Sequence, residues 1–485
     1  MKKYYITTSI PYVNLPGHLG HALEFIQADV LARYHRLLGE DVFFLTGTDE
    51  NGLKNFQAAE KAGKTPQEFV DEVSAKFKKL TSVLNISNDD FIRTTDKKRH
   101  WPTVQKVWLK LKENNDIYKK KYKGLYCVGC EAFIKEKDLI DGKCLIHKKE
   151  PQILEEENYF FRLSKYQKRI EEIIKKDKIK IIPEARKNEI LNFIKQGVED
   201  VSCSRSKENL KWGVPVPDDD TQLIYIWLEA LLNYISALDY AKNGPNFKKF
   251  WPADIHCVGK DIFRFHTLLW PAVLLSLKLP LPKTIFVHGF ITVAGQKMSK
   301  SLGNIIDPFE LVKKYGTDAV RYFLLREIPA TEDGDFTYEK FEKRYNADLA
   351  NNLGNLVSRV VKLNENIKAK TGKEKPKIKN LDRLVDEDKS SSSPFAIARL
   401  FEEIKLKEIL DKIWEQISWA NRYIEEKKLW ELVKNNPKEG KKVLRELLSL
   451  ISGTGEAILP FMPETSEKIK KILEMGTGEP LFPRI

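Results

Sequence analysis

The chain of 485 residues is 42% hydrophobic and 11% aromatic, which is the composition of a folded protein and not of a disordered chain. Its 82 Lys and Arg against 69 Asp and Glu give a net charge of +13, which suits a polyanionic partner, although solvated lysine-rich helix faces would give the same excess. The sequence contains no apolar run of about 18 residues and no signal-peptide core, so we expect a cytoplasmic protein without a membrane span.

Residues 1–115 predict the first half of a parallel α/β domain. KYYITTSI reads as a strand, HLGHALEFIQADVLARYHRLLG as a helix and DVFFLTGTDENG as a second, nearly all-apolar strand. An apolar strand after a crossover helix is typical of a parallel sheet, whose ligands bind at the carboxyl ends of the strands. We therefore expect the segments PYVN and TDEN, which follow the two strands, in one crevice.

Residues 116–220 do not continue this alternation of strands and helices. They are interpreted as an insertion that contains a metal-binding knuckle at about 120–150. Cys127 and Cys130 form a CxxC pair, and thirteen residues later Cys144 and His147 form a CxxH pair. Four soft ligands at this closed spacing predict one structural zinc ion per chain, against the alternative of unrelated thiols and a surface histidine. Cys203 and Cys257 are interpreted as core thiols.

The α/β pattern returns over residues 221–290 as the second half of the domain. Residues 291–345 contain the segment QKMSKSLGN, and residues 346–485 read as purely helical. The expected architecture is thus a Rossmann-like parallel-sheet catalytic domain with a zinc-binding insertion, followed by an α-helical bundle.

Two short segments indicate an anion site. HLGH places His18 and His21 at the first turn of a helix, where free backbone N–H groups and two imidazoles can bind phosphate oxygens. KMSKS places Lys297 and Lys300 in a glycine-bounded loop that could close over a leaving pyrophosphate. Alone, either segment also fits an ordinary amphipathic helix or a surface loop; their combination on an α/β frame favours an ATP site.

These two segments resemble the signatures of class I aminoacyl-tRNA synthetases, and the chain is similar to the methionyl-tRNA synthetases over essentially its whole length. The stretches that carry the resemblance are ADVLARYHRLLGEDVFFLTGTDENG, GKDIFRFHTLLWPA, VHGFITVAGQKMSKSLGN, ANRYIEEKKLWEL and LFPRI. The resemblance implies ATP-dependent activation of L-methionine, with Mg²⁺ accompanying ATP, and transfer to the 3′ end of tRNA(Met) for elongation and initiation.

The resemblance also assigns residues to sites. His18, His21, Lys297 and Lys300 match the catalytic positions, and ATP binding adds Gly20, Glu24, Gly259 and Asp261. The residues that match the methionine pocket are Ile10, Tyr12, Asp49, Trp227, Ala230, Leu231, Tyr234, Phe265 and His266. An apolar hole with one carboxylate suits a thioether and an ammonium group, although an aromatic stripe by itself is more often core. This chain has Asn51 where the family frequently has histidine, and Leu231 where it has proline.

The helical region resembles the family's anticodon-binding bundle and is therefore expected to occupy residues 346–485, after a stem-contact region at 291–345. Asn355, Arg359 and Trp430 match anticodon-reading positions, and an indole with nearby amide and guanidinium groups could stack on and hydrogen-bond to a base. The family's dimerising extension does not follow LFPRI, which favours a monomer.

Three alternatives remain. The class I synthetases for leucine, isoleucine and valine would need a large editing insertion, for which this chain has no room. The synthetase for cysteine would hold zinc in its amino-acid pocket, whereas the predicted zinc ligands of this chain lie in residues 116–220. A small-molecule nucleotidyltransferase with an HxGH segment would not need the basic helical region or the knuckle. A catalytically dead tRNA-binding protein would not need intact His18, His21 and Lys300.

Overall fold

The computed structural model describes residues 2–129, 132–134, 136, 139–145, 148–298, 303–371 and 394–485. In chain order the strands are β1 (Lys3–Thr8), β2 (Asp41–Thr48), β3 (Asp90–Arg93), β4 (Ile117–Cys127), β5 (Ala132–Ile134), β6 (Leu139–Ile140), β7 (Lys143–Cys144), β8 (Gln152–Phe161), β9 (Lys180–Ile182), β10 (Val201–Ser202), β11 (Ser204–Ser206), β12 (Val214–Val216), β13 (Asp219–Ile224), β14 (Ile255–Gly259), β15 (Thr284–His288), β16 (Ile291–Val293), β17 (Gln296–Lys297) and β18 (Gly334–Phe336).

The α-helices in chain order are α1 (Leu19–Leu37), α2 (Leu53–Lys61), α3 (Pro66–Val83), α4 (His100–Glu113), α5 (Gln167–Lys175), α6 (Glu184–Lys195), α7 (Ile226–Leu231), α8 (Asn233–Ser236), α9 (Pro245–Phe250), α10 (Trp270–Ser276), α11 (Pro308–Tyr315), α12 (Thr317–Glu327), α13 (Tyr338–Arg344), α14 (Asn355–Thr371), α15 (Pro394–Glu402), α16 (Leu406–Glu426), α17 (Leu429–Asn435), α18 (Pro437–Ile458) and α19 (Pro463–Met475). Short 3₁₀ segments lie at Leu163–Tyr166 and Tyr240–Lys242, and π-helical segments at Phe265–Leu269 and Tyr345–Gly354. Within the described residues no helix is long and apolar enough to span a bilayer.

The chain divides into two compact units, and the first comprises residues 2–17, 35–82 and 87–288. Its centre is a six-stranded sheet in the order β3-β2-β1-β14-β15-β9, with every neighbouring pair parallel. The strand order reverses between β1 and β14, so the segments that follow these two strands flank a topological switch point, where α/β sheets bind ligands. The predicted parallel α/β fold is confirmed.

The edge of this sheet comes from an unexpected part of the chain. Strand β9 lies within the segment interpreted as an insertion, yet it pairs with β15 through Lys180↔Thr284 and Ile182↔Phe286. The same segment contains the helices α5 and α6 and contributes to two antiparallel sheets, in the orders β10-β8-β4-β5 and β11-β13-β12, of which β13 continues past residue 220. The segment therefore extends the main sheet as well as carrying sheets of its own.

The second unit comprises residues 18–34, 83–86 and 289–485. It contains most of α1, a small sheet in the order β17-β16-β18, and the helices from α11 onward. The buried guanidinium of Arg321 lies 2.7 Å from Oδ2 of Asp29 in α1 and donates to the backbone carbonyls of Leu84, Pro460 and Phe461. This contact joins α1, whose first turn carries the HLGH segment, to α12 and to the turn before α19.

Candidate active site

The HLGH segment forms the start of α1, and its two imidazoles lie against each other. The ring centroids of His18 and His21 are 3.9 Å apart, and both side chains are half-buried. The Gly20 N–H donates to Nδ1 of His18 (3.0 Å) and the His18 N–H donates to Nδ1 of His21 (3.2 Å). Because each Nδ1 accepts a backbone N–H, the proton of each neutral ring belongs on Nε2, which makes Nε2–H the donor.

Burial fixes the charge state of the first of these rings. Loss of hydration lowers the pKa of His18 to about 4, so the imidazole is neutral at pH 7. It is therefore suited to donate a hydrogen bond to a phosphate oxygen rather than to act as a cation. Glu24, one turn further along α1, is buried.

Gly20 brings the HLGH and KMSKS segments together. A Cβ at this residue would lie 2.9 Å from Cε1 of His18 and 4.0 Å from the Met298 methyl group. The first distance is too short for a side chain, so the glycine is required by the ring of His18; the second places the KMSKS methionine against the first turn of α1. Gly20 and Met298, one residue from each signature, thus lie near each other within the second unit.

The KMSKS segment begins at a tight hairpin between β16 and β17. Ala294 and Gly295 have φ of 50° and 75°, and Lys297 pairs with Thr292 across the hairpin. The carboxylate of Asp335 accepts from the Gly295 N–H and from the Thr292 hydroxyl, both at 2.7 Å. Lys300 lies outside the described residues.

Gly259 and Asp261 lie in the first unit at the carboxyl end of β14. A Cβ at Gly259 would come within 2.8 Å of Oδ1 of Asp261, so the glycine lets the carboxylate lie against the backbone. This end of β14 borders the switch point, and Ile10 and Tyr12 follow β1 on its other side. The positions match where an α/β sheet presents a nucleotide site.

Most of the predicted methionine-pocket residues form two contacting groups in the first unit. Trp227 stacks on Phe265 with centroids 3.8 Å apart and meets the edge of Tyr12 at 6.3 Å. The Tyr234 hydroxyl lies 2.7 Å from Nε2 of His266. Ile10 packs against the same core, and Ala230 and Leu231 are buried in α7 beside Trp227.

A π-helical segment sets the orientation of two pocket side chains. Phe265 and His266 begin the π-turn Phe265–Leu269, a distortion that is frequent at functional sites. Nδ1 of His266 lies 3.1 Å from the Ile262 carbonyl, so it carries the proton, and Nε2 accepts from Tyr234. Both ring nitrogens of His266 are therefore fixed by contacts within the first unit.

Asp49 is held beside Tyr12 by the backbone. The two residues form a parallel bridge in which the Asp49 N–H donates to the Pro11 carbonyl (2.9 Å) and the Val13 N–H donates to the Asp49 carbonyl (3.3 Å). The bridge continues the pairing of β1 and β2 past their ends. It brings the segments PYVN and TDEN side by side, and Asp49 is buried there.

Behind the pocket lies a polar group that sequence reasoning missed. Nδ1 of His256 is 2.7 Å from the Thr7 hydroxyl, and its Nε2 accepts from the Trp270 indole N–H at 3.2 Å. The ring of His256 lies 4.3 Å from that of Tyr234, and burial lowers its pKa well below the ordinary value. An apolar strand gives no signal for such a contact, because its partners are distant in sequence.

The cysteine cluster is described only in part. Cys127 ends β4, where it pairs with Ala132, and Cys144 ends β7; both are buried. The Lys148 N–H donates to the Cys144 carbonyl (2.7 Å), and the Cys144 N–H donates to the Lys149 carbonyl (2.9 Å). Cys130 and His147 lie outside the described residues. Cys127 and Cys144 are thus two of the four predicted ligands, and thiols are ligands that zinc prefers. Among the described residues no group of three or more His, Cys, Asp or Glu side chains is placed to hold a metal ion.

The predicted anticodon residues lie on the helical bundle of the second unit. Asn355 begins α14 and is exposed, and Arg359 follows one turn later. The Arg359 guanidinium lies 5.9 Å from the Trp430 ring and pairs with Glu425 at 2.8 Å. Trp430 is 37% exposed, so part of the indole faces solvent.

Comparison with known proteins first defines the class. The chain matches the family model described as tRNA synthetases class I (M) over residues 4–144 and 129–361. It is 45% identical to the methionine–tRNA ligase of Thermotoga maritima, over 100% of this chain and 80% of that protein. It is 42% identical to the methionine–tRNA ligase of Brucella suis, over 99% of this chain and 93% of that protein.

A solved structure narrows the assignment. Methionyl-tRNA synthetase from Mycobacterium tuberculosis, in complex with methionyl-adenylate, superposes with a TM-score of 0.89 at 37% identity, covering 97% of this chain and 94% of that one. The chain therefore belongs to the methionyl-tRNA synthetase family.

Proposed function

We propose that the protein activates L-methionine with ATP, accompanied by Mg²⁺, to methionyl-adenylate and transfers the methionyl group to the 3′ end of tRNA(Met). The product supplies both initiation and elongation of translation. The observation that carries the proposal is that Met298 of the KMSKS segment lies near Gly20 of the HLGH segment. The match to methionine–tRNA ligases along the whole chain supports it.

The imidazoles and the lysines would act on the phosphates. The methionine carboxylate attacks the α-phosphorus of ATP, and negative charge grows on the phosphate oxygens as pyrophosphate leaves. The neutral Nε2–H groups of His18 and His21 can donate to these oxygens, and a fixed donor of this kind contributes about 10²–10³ in rate. Lys297 and Lys300 would hold the departing pyrophosphate, and Glu24, Gly259 and Asp261 would lie near the adenosine.

The first unit would select methionine. Asp49 would bind the ammonium group, and the Tyr12, Trp227 and Phe265 rings would enclose the side chain with Tyr234 and His266. The remaining contacts would come from Ile10, Ala230 and Leu231. An aromatic hole suits a polarisable thioether, and it discriminates against apolar near-isosteres by only about 1–3 kcal/mol.

Structural zinc and tRNA would complete the assignment. Cys127, Cys130, Cys144 and His147 would hold one zinc ion, which stabilises the insertion when bound. Asn355, Arg359 and Trp430 would read the anticodon by hydrogen bonding and stacking. We propose that residues 1–115 and 221–290 form the catalytic domain, 116–220 the insertion, 291–345 the stem-contact region and 346–485 the anticodon bundle of a cytoplasmic monomer.

ATP–pyrophosphate exchange tests the proposal most directly. Exchange is measured with each of the twenty amino acids, and we expect methionine to support it far better than any other. A His21→Ala variant, which lacks one Nε2–H donor, should keep methionine binding and lose exchange. Strong exchange with another amino acid, or none with methionine, would overturn the assignment.

A further inference from the structure

A buried carboxyl group lies inside the helix that carries Trp227. Glu229 is a residue of α7, next to Ala230, and its side chain is completely buried. Its Oε1 is 2.6 Å from Nε2 of His100, the first residue of α4, and accepts from the Asn51 amide at 3.1 Å. No part of the proposed chemistry uses Glu229 or His100, so their burial needs another explanation.

The hydrogen bonds around His100 place the proton of the pair. The Ser236 hydroxyl donates to the Asn233 carbonyl (3.3 Å), so its oxygen accepts from Nδ1–H of His100 (2.8 Å). In the neutral ring Nε2 is then the acceptor, and the carboxyl group of Glu229 must be the donor.

The second carboxyl oxygen supports this neutral form. Oε2 of Glu229 is buried without a hydrogen-bond partner among the described residues. An ionised carboxylate would place charge on this buried oxygen, to which none of the described residues donates, whereas a protonated carboxyl group leaves only a carbonyl-type acceptor there. In the same direction, burial raises the pKa of Glu229 well above its ordinary range and lowers the pKa of His100 to about 3.

The pair is connected to the opposite wall of the pocket. The Asn51 amide donates both to Glu229 and to the Thr94 carbonyl, the latter at 3.2 Å. The Asn55 amide donates to the carbonyls of Asp49 (3.0 Å) and Asn51 (2.9 Å). The loop that carries Asp49 is therefore fixed to α2 by Asn55 and to α7 by Glu229.

We propose that Glu229 and His100 are positioning residues for methionine, and that their neutral hydrogen-bonded pair fixes the pocket helix relative to the Asp49 loop. Methionine is bound by both of these elements, with its ammonium group at Asp49 in the loop and its side chain at Trp227 in the helix. Loosening the connection between the sides weakens methionine binding and leaves ATP binding unchanged. This inference rests on the proposed function.

Kinetics of two Glu229 variants test the positioning role. Glu229→Met removes the donor to His100 and the acceptor for Asn51, and the KM for methionine in ATP–pyrophosphate exchange should rise about tenfold or more, with the KM for ATP within about twofold. Glu229→Gln should retain methionine binding, because the Ser236 hydroxyl can turn to donate to Nδ1 of His100, which then donates from Nε2 to the amide oxygen. An equal rise in both KM values, or an unchanged KM for methionine, would overturn the inference.

Infrared spectroscopy tests the protonation state without relying on the Met variant. The difference spectrum between the unaltered protein and Glu229→Gln at neutral pH should show loss of a protonated carboxylic acid. Glu50→Gln is the matched control: Glu50 is equally buried but accepts from the Arg93 guanidinium at 2.6 Å, so its loss should remove a carboxylate signal. A carboxylate signal lost in Glu229→Gln would refute the neutral pair. If the unaltered protein fails to exchange with methionine, the proposed function fails instead.

Discussion

Replacing Gly20 by alanine perturbs the proposed catalytic centre through one methyl group. The new Cβ would lie 2.9 Å from Cε1 and 3.1 Å from Nδ1 of His18, whereas carbon atoms in contact prefer about 3.5–4.0 Å. The imidazole must therefore move by roughly 0.6 Å, which also stretches the bond from the Gly20 N–H to Nδ1. Misplacing a catalytic group by about 1 Å can cost about 10²-fold, so we expect a loss of about tenfold in kcat, or about 1.4 kcal/mol.

The same substitution should not destabilise the protein, which separates catalysis from folding. Alanine is a better helix former than glycine by up to about 1 kcal/mol, so the Tm should stay the same or rise. The measurements are ATP–pyrophosphate exchange at saturating methionine and a thermal unfolding scan. Gly455→Ala is the matched control, because it adds a methyl group to α18 at a similarly close distance, 3.1 Å from Cγ2 of Ile469, but outside the proposed catalytic centre, and should leave exchange unchanged. A folded Gly20→Ala protein that exchanges at the unaltered rate would refute the role given to His18.

Three further predictions follow from the same structure. Trp430→Ala should raise the KM for tRNA in aminoacylation and leave ATP–pyrophosphate exchange unchanged. Trp419→Ala, at another exposed tryptophan of the bundle, should affect neither measurement. Loss of exchange in Trp430→Ala would contradict an anticodon role. A chelator should release about one zinc ion per chain, as counted by metal analysis, and lower the Tm; a purified chain that holds no zinc would disprove the knuckle. Acidification below pH 6.5 should lower the free energy of unfolding measured in urea, because the pKa of His18 falls from 6.5 to about 4 on folding and the unfolded chain binds protons that the folded chain excludes. The decline should be shallower in His18→Gln, and an equal slope in both proteins would argue against the neutral imidazole.

The sequence predicts the central fold where local pattern and tertiary structure agree. The apolar strands β1 and β2 and the helix between them follow from hydrophobic periodicity, and the parallel sheet follows from their order. Strand β9 could not be predicted, because three residues between two lysine-rich helices carry little pattern of their own. Its place is decided by hydrogen bonding to β15, more than a hundred residues further along the chain.

The candidate site shows the same division between local and distant information. HLGH and KMSKS are recognisable because a loop or helix start must supply several groups within a few residues. His100 and Glu229 are 129 positions apart, and neither lies in a segment with a chemical signature. Such a pair could be found only once the fold had brought α4 against α7 and α8.

Protonation is a further property that residue type alone does not decide. Asp29 and Glu229 are both completely buried carboxyl groups on helices that carry site residues. Oδ2 of Asp29 accepts from Nε of Arg33 at 2.7 Å and lies 2.7 Å from the guanidinium of Arg321, and two cations at one oxygen stabilise the ionised carboxylate. Glu229 contacts the neutral Asn51 amide and one imidazole, which can equally accept, and its Oε2 has no donor among the described residues, so the neutral acid is the stable form. The first group fixes α1 by charge and the second fixes α7 by a neutral hydrogen bond. Asp29→Asn should therefore remove the carboxylate paired with the buried guanidinium of Arg321 and destabilise the protein far more than Glu229→Gln, as urea unfolding of the two variants would show.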